Sequence, residues 1–225
     1  MAAHAADLVA VLDALGVERA VLAGHSMGAF VAAVAAARWP ERAERLVMVD
    51  GGLPLPVPAG VDVDAVLDAV IGPAMARLRT DFASPAAYRD FWRAHPAFAQ
   101  TGTWDALVEA YVDYDLEPAG DGRFRSRASL DAVRADGADV LAGDDARSAL
   151  ERVRCPAVLL WAERGMLNEP DGLYGEAVVQ DAAARHRGLA TELVPGTNHY
   201  TILLAPAGAA AVARHLAPPS GDRSH

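Results

Sequence analysis

The stretch Val21-Leu22-Ala23-Gly24-His25-Ser26-Met27-Gly28 constrains this chain more than any other: an apolar strand runs straight into Gly-His-Ser-Met-Gly, and a run of small residues follows at once. A G-x-S-x-G pentapeptide between strand and helix forces the serine into a tight bend, where any side chain larger than glycine at 24 or 28 is expected to collide with neighbouring backbone. The Ser26 hydroxyl is thereby held out above the sheet edge, a candidate nucleophile. The helix that starts after it aims unpaired N–H groups and the positive end of its dipole at the same place, which makes the N–H of Met27 a candidate oxyanion donor.

The flanks alternate between helical and strand signals. Leu8, Val9, Val11, Leu12 and Leu15 fall at helical spacing, Gly16 follows as a stop, and Arg19 to Ala23 reads as a short buried strand. Ala29 to Arg38 is an alanine-rich helix closed by Trp39-Pro40, and Arg45 to Asp50 is a second strand ending in Gly51-Gly52. From Leu53 the pattern changes: Pro54, Pro56 and Pro58 mark an exit loop, and helices are expected at 62–71, 73–79, 85–94 and 103–114. Glu117 to Arg127 reads as a glycine- and charge-rich connection, with further helix over 128–152. A third strand at Ala157 to Ala162, a helix at Gly175 to Arg185, a fourth strand at Ala190 to Val194 and a closing helix at Pro206 to Leu216 complete the pattern.

This order of helix, strand, elbow, helix and strand resembles the middle of the α/β-hydrolase fold, and the resemblance continues to about Leu216. It implies an α/β architecture with a partial hydrolase sheet of about four parallel strands, flanking helices and an inserted helical lid. The core is expected at 1–52 and 153–217, the lid at 53–152, and a disordered tail at 218–225. The resemblance places the general base in the loop after the fourth strand, where Pro195-Gly196-Thr197-Asn198-His199-Tyr200 supplies His199. His25 is expected to point away from the hydroxyl, as a packing or oxyanion-supporting residue. The family most often carries its acid just after the third strand seen here, yet Gly165 occupies the aligned position. Some subgroups, certain haloalkane dehalogenases among them, place the carboxylate at the strand end after the elbow helix. That resemblance makes Asp50 the first choice, with Glu169, Asp171 and Glu163 as the alternatives and a plain turn-bonding role for Asp50 as the competing reading.

Composition bounds the function. A chain of 225 residues, 52% hydrophobic, can bury a sizeable core. A net charge of -10 argues against nucleic acid, since phosphate contacts need a basic surface. No apolar run reaches membrane-spanning length and no signal-peptide pattern opens the sequence, so a cytoplasmic location is expected. Cys155 is the only cysteine and there is no lysine, which removes an internal disulfide, a multi-cysteine metal site and Schiff-base chemistry from consideration. No cofactor or metal is expected: Asp113, Asp115 and Glu117 read as a solvated helix end. The lid aromatics Phe82, Tyr88, Phe91, Trp92, Phe98, Trp104, Tyr111 and Tyr114 are divided by the same sequence between an acyl pocket and the lid's own core.

The strands that precede the elbow in the resembling fold, with their second oxyanion donor, have no counterpart before Ala2. A truncated hydrolase is therefore expected, with Ala20 to Ala23 as an apolar edge open to pairing with another copy. Two classes of function compete. One is a serine hydrolase cleaving a small carboxylic ester or related acyl compound through an acyl-Ser26 intermediate; the other is a catalytically impaired fragment or a noncatalytic binding module.

Overall fold

A computed structural model describes residues 1–55 and 62–217. Pro56 and Pro58 of the expected exit loop and the 218–225 tail lie outside the described residues. The chain opens with α1 (Ala2–Ala14), β1 (Ala20–His25), α2 (Met27–Arg38) and β2 (Ala43–Val49). Gly16 follows α1 with φ +66, the left-handed stop that its position in the sequence predicts. The lid region carries α3 (Val63–Ala76), a 3-10 turn (Arg77–Arg79), α4 (Pro85–Arg93), α5 (Pro96–Ala99) and α6 (Ala106–Tyr114). A hairpin, β3 (Leu116–Gly120) and β4 (Arg123–Ser126), leads to α7 (Leu130–Ala142) and α8 (Asp144–Arg152). The core resumes with β5 (Ala157–Arg164), α9 (Glu176–Arg185), β6 (Leu189–Asn198), α10 (Thr201–Leu204) and α11 (Pro206–Leu216).

The main sheet has the order β1-β2-β5-β6, and every pairing in it is parallel. Parallel strands need crossovers, and α2 between β1 and β2 supplies the tightest one: Ala29, Phe30, Ala32, Ala33, Val34, Ala35 and Ala36 are all buried there. Alanines let the helix lie close against the strands that share its core, Leu22, Leu46, Met48 and Leu159. The other sheet face packs Val47, Val49, Val158 and Leu160 on Ile202, Ala211 and Val212 of α10 and α11.

The boundary expected between helices 62–71 and 73–79 is a kink within α3, where Ile71 takes non-helical φ -123 and ψ 15 ahead of Gly72-Pro73. Two departures from the sequence reading have local causes. The Glu117–Arg127 connection is an antiparallel hairpin, turned by Gly120, Asp121 and Gly122 at positive φ. Finally, α8 lays Ala146, Ala149 and Leu150 into the sheet core beside α2, although its sequence lies within the expected lid span. The remaining lid elements build their own centre from Tyr88, Trp92, Phe98, Val108 and Val112.

Candidate active site

Ser26 leaves β1 with φ 54 and ψ -123 and forms the N-cap of α2. Left-handed backbone at a serine costs about 1–3 kcal/mol and persists only when its surroundings hold it. Here the Ser26 N–H donates to Val49 O at 2.9 Å, while a Cβ at Gly24 would overlap the Gly28 carbonyl. The expected crowding at Gly28 is absent, because a Cβ built there meets nothing within 4 Å. The second obligatory glycine is Gly51, whose Cβ would overlap the Ser26 carbonyl. That contact joins two strand ends distant in sequence, so the pentapeptide alone gives no sign of it.

Asp50 closes β2 at φ 43 and is fully buried. Its N–H donates to Leu160 O at 2.7 Å and its Oδ1 accepts the Ala162 N–H at 3.0 Å, so the neighbouring β5 fixes both backbone and carboxylate. Its Oδ2 lies 2.6 Å from His199 Nδ1. A carboxylate only accepts, so Nδ1 carries the proton and Nε2 of the neutral ring is the free base. The other carboxylates are engaged elsewhere: Glu163 Oε2 accepts the Gly196 N–H at 2.6 Å, Glu169 Oε2 accepts the Leu167 N–H at 2.8 Å, and Asp171 is exposed.

His199 follows β6 directly, because that strand runs on through the expected loop to Asn198. Asn198 then locks the turn: its Oδ1 accepts the N–H groups of Tyr200 and Thr201 at 3.0 and 2.9 Å, and Thr201 Oγ1 accepts the Asn198 N–H at 2.8 Å. The Asn198 side chain also donates to Ala97 O of α5 at 2.9 Å, tying the histidine turn to the lid.

His25 faces the same turn. Its Nε2 lies 2.8 Å from His199 O and its ring centroid 4.5 Å from that of His199. Carbonyl oxygen accepts, so Nε2 bears the hydrogen. Burial, with the neighbouring His199, lowers its pKa from 6.5 to about 4 and keeps the ring neutral. His25 thus braces the His199 turn.

Among the described residues Ser26 Oγ makes no hydrogen bond to His199, but both side chains line two connected cavities of about 460 and 570 Å³. Met27, Ile71, Val133 and Met166 are the other residues common to the two. The larger cavity is apolar, with Phe30, Leu67 and Leu141 on its walls. The smaller carries Arg77, Trp92, Tyr111, Tyr114, Arg127 and Tyr200. Of the lid aromatics singled out from sequence, Trp92, Tyr111 and Tyr114 therefore line a cavity, whereas Phe82, Tyr88 and Phe98 fill the lid core. Arg77 and Tyr200 escaped the sequence reading. Adjacency to His199 is a signal for Tyr200; Arg77 offers none.

The acidic trio of the lid is ion-paired where the sequence suggests solvation. Asp113 pairs with Arg89, Glu117 with Arg125, and Asp115 accepts from Arg77, Tyr88 and Ser126. No group of three or more His, Cys, Asp or Glu among the described residues is arranged to hold a metal ion. No helix among them is long and apolar enough to cross a membrane.

Comparison with known proteins places the chain in one family. Residues 1–205 match the model of a family described as the alpha/beta hydrolase fold. A solved E-2-(acetamidomethylene)succinate hydrolase superposes with a TM-score of 0.66 at 21% identity, covering 94% of this chain and 70% of its own. A thioesterase domain from the curacin biosynthetic pathway gives 0.66 at 18%, covering 95% and 72% respectively. A hypothetical protein from Pseudomonas aeruginosa PAO1 is 30% identical, with a TM-score of 0.57 and coverage of 93% and 69%. No curated protein matches the chain.

Proposed function

Because the chain belongs to the alpha/beta hydrolase fold family, we propose that it is a serine hydrolase cleaving a small carboxylic ester or related acyl substrate, with Ser26 as nucleophile, His199 as base and Asp50 as acid. The observation that carries this reading is the buried 2.6 Å contact between Asp50 Oδ2 and His199 Nδ1, in a site that also holds Ser26 on strained backbone. An aspartate that only bonded its own turn has no need of a histidine partner from a strand end so far along the chain. An esterase and a thioesterase domain among the structural neighbours agree with acyl transfer.

In the proposed reaction Ser26 Oγ attacks the acyl carbon while His199 Nε2 takes its proton, and Asp50 stabilises the resulting imidazolium. The N–H of Met27, in the first turn of α2, has no helical acceptor and faces the developing oxyanion. Collapse of the tetrahedral intermediate breaks the bond to the leaving group, which receives the proton from His199, and acyl-Ser26 remains. Water, deprotonated by the same nitrogen, adds to the acyl carbon and releases the carboxylic acid and free serine. Serine at this turn argues against haloalkane or epoxide opening, where a carboxylate forms the alkyl ester.

A fluorophosphonate probe tests the assignment. Labelling of Ser26 in the wild-type chain, lost in Ser26→Ala together with hydrolysis of 4-nitrophenyl butyrate, is the expected result. A chain folded by circular dichroism that neither labels nor hydrolyses the ester would instead be a noncatalytic member of the fold.

A further inference from the structure

The two cavities that meet at Ser26 differ in chemistry. The larger presents aliphatic and aromatic walls from α2, α3 and α7, with Gly137 letting α7 approach Leu67 so closely that a Cβ there would crowd its methyl groups. The smaller is rich in hydrogen-bond donors. Arg77 is anchored in it on three sides: Nε donates to Asp115 Oδ2 at 3.0 Å, Nη1 donates to Ala74 O, and the guanidinium lies 5.4 Å from the centre of the Trp92 ring. Its Nη2 has no partner among the described residues. Arg127 spends Nε on Leu116 O at 3.1 Å and keeps both terminal nitrogens without a partner among the described residues.

Acceptors do not balance these donors. Among the described residues Asp115 is the only carboxylate lining the smaller cavity, and its oxygens already serve Arg77, Tyr88 and Ser126. Trp92 is 4% exposed, lines the cavity, and its Nε1–H has no partner among the described residues. Burial pushes the Tyr200 phenol up, which keeps it a donor. An unpaired buried donor is costly, and among the described residues two arginines against one aspartate make the wall positive in a chain whose net charge is -10. Such a wall is complementary to a group with several acceptors and a negative charge.

We propose that the substrate is an amphiphilic acid: its carboxylate sits in the cavity of Arg77, Arg127 and Trp92, its apolar portion in the cavity of Leu67, Val133 and Leu141, and its scissile acyl bond between them at Ser26. The break in α3 at Ile71 stands at the junction, since Ile71 lines both cavities. Placement of the scissile bond rests on the serine-hydrolase reading; the carboxylate preference of the smaller cavity does not.

The test separates the two. Binding of monomethyl adipate and of its uncharged counterpart, dimethyl adipate, is measured on Ser26→Ala by titration calorimetry, and hydrolysis of both on the wild-type chain. The monoacid is expected to bind about tenfold or more tightly than the diester, as a charge-assisted pair implies. The preference should shrink at high salt. It is expected to fall towards one in Arg77→Gln, to be partly restored by Arg77→Lys, and to weaken in Arg127→Gln, whose exposed position spares the fold should Arg77→Gln unfold it. Equal binding of the two compounds, or tighter binding of the diester, overturns the proposal. Preferential binding without hydrolysis or probe labelling in the wild type would remove the hydrolase reading and leave the anion-binding cavity standing.

Discussion

On the sheet side of the site, Ser26, Asp50 and His199 each leave the end of a parallel strand, and backbone does the positioning: two positive φ values, a glycine pressed against the Ser26 carbonyl, and a strand N–H on the Asp50 carboxylate. On the other side, Arg77 and Trp92 are positioned by side chains, through an ion pair and a cationic ring contact. Backbone positioning is stiff and depends on few residue types, so it suits reacting atoms that must stay in register. Side-chain positioning is adjustable residue by residue, so it suits the walls that select a substrate. The two halves should therefore fail differently when altered, the first in chemistry and folding, the second in selectivity and modest stability.

The largest contrast lies among the carboxylates. Asp50→Asn keeps the shape of the sheet side but forfeits the fixed His199 tautomer, so kcat for an activated ester should fall by about 10⁴-fold with little change in KM. Glu169→Gln, in the loop after β5, should stay within about threefold of wild type. Near-full turnover in Asp50→Asn, with the loss appearing in Glu169→Gln, would transfer the acid to the more usual place in the chain.

How far each half could be read in advance follows from the same contrast. The elbow and the four core strands were legible because apolar runs and glycine positions are local signals, while their parallel arrangement followed from the family resemblance carried by the Gly-His-Ser-Met-Gly turn. Asp50 could be named only as one of four carboxylates: what sets it apart from the others is a contact to His199, 149 positions away. The span expected as a lid was legible as helices but not as cavity walls. Nothing near Arg77 distinguishes it from Arg79, which the same turn leaves exposed, and the hairpin at Leu116–Ser126 was obscured by charge and glycine that turn out to shape it. The confinement of Gly51 and the place of α8 in the sheet core escaped the sequence for one reason, since both arise from packing partners remote in sequence.

Glycine substitutions sharpen the contrast at the next scale. Gly51→Ala forces a methyl group into the Ser26 carbonyl, a backbone atom that cannot swing aside, and should cost about 2–4 kcal/mol of stability, read by urea unfolding, along with much of the activity. Gly28→Ala, inside α2 with open space around it, should be neutral or stabilise by up to about 1 kcal/mol. Equal damage from both would mean that Gly28 is as confined as Gly51, as the pentapeptide alone suggests for Gly28. In the lid, Asp115→Asn removes the charge on which Arg77, Tyr88 and Ser126 converge, and should cost about 1–3 kcal/mol. A neutral result there would show that the lid does not depend on this hub.

The smallest expected effect compares the two halves within one titration. His25 on the sheet side and His95 in the lid both have pKa values lowered from 6.5 to about 4, chiefly by burial. His199 adds to the lowering at His25 while Asp50 opposes it; Arg77 adds to it at His95 while Glu169 opposes it. Between those two pH values the unfolded chain binds protons at both sites and the folded chain does not, so stability is complete above pH 6.5 and is lost as pH falls towards 4. Each histidine should contribute a slope on the order of 3 °C in Tm per pH unit within that window. His95→Asn should flatten the lid's share without touching the acyl chemistry of the sheet side. His25→Asn should flatten the other share and also slow ester hydrolysis, because it loosens the 2.8 Å bond that braces the His199 turn. If both variants flatten the melting profile but neither alters hydrolysis, His25 is only a buried histidine, and the division between a backbone-built chemical half and a side-chain-built selective half no longer extends to it.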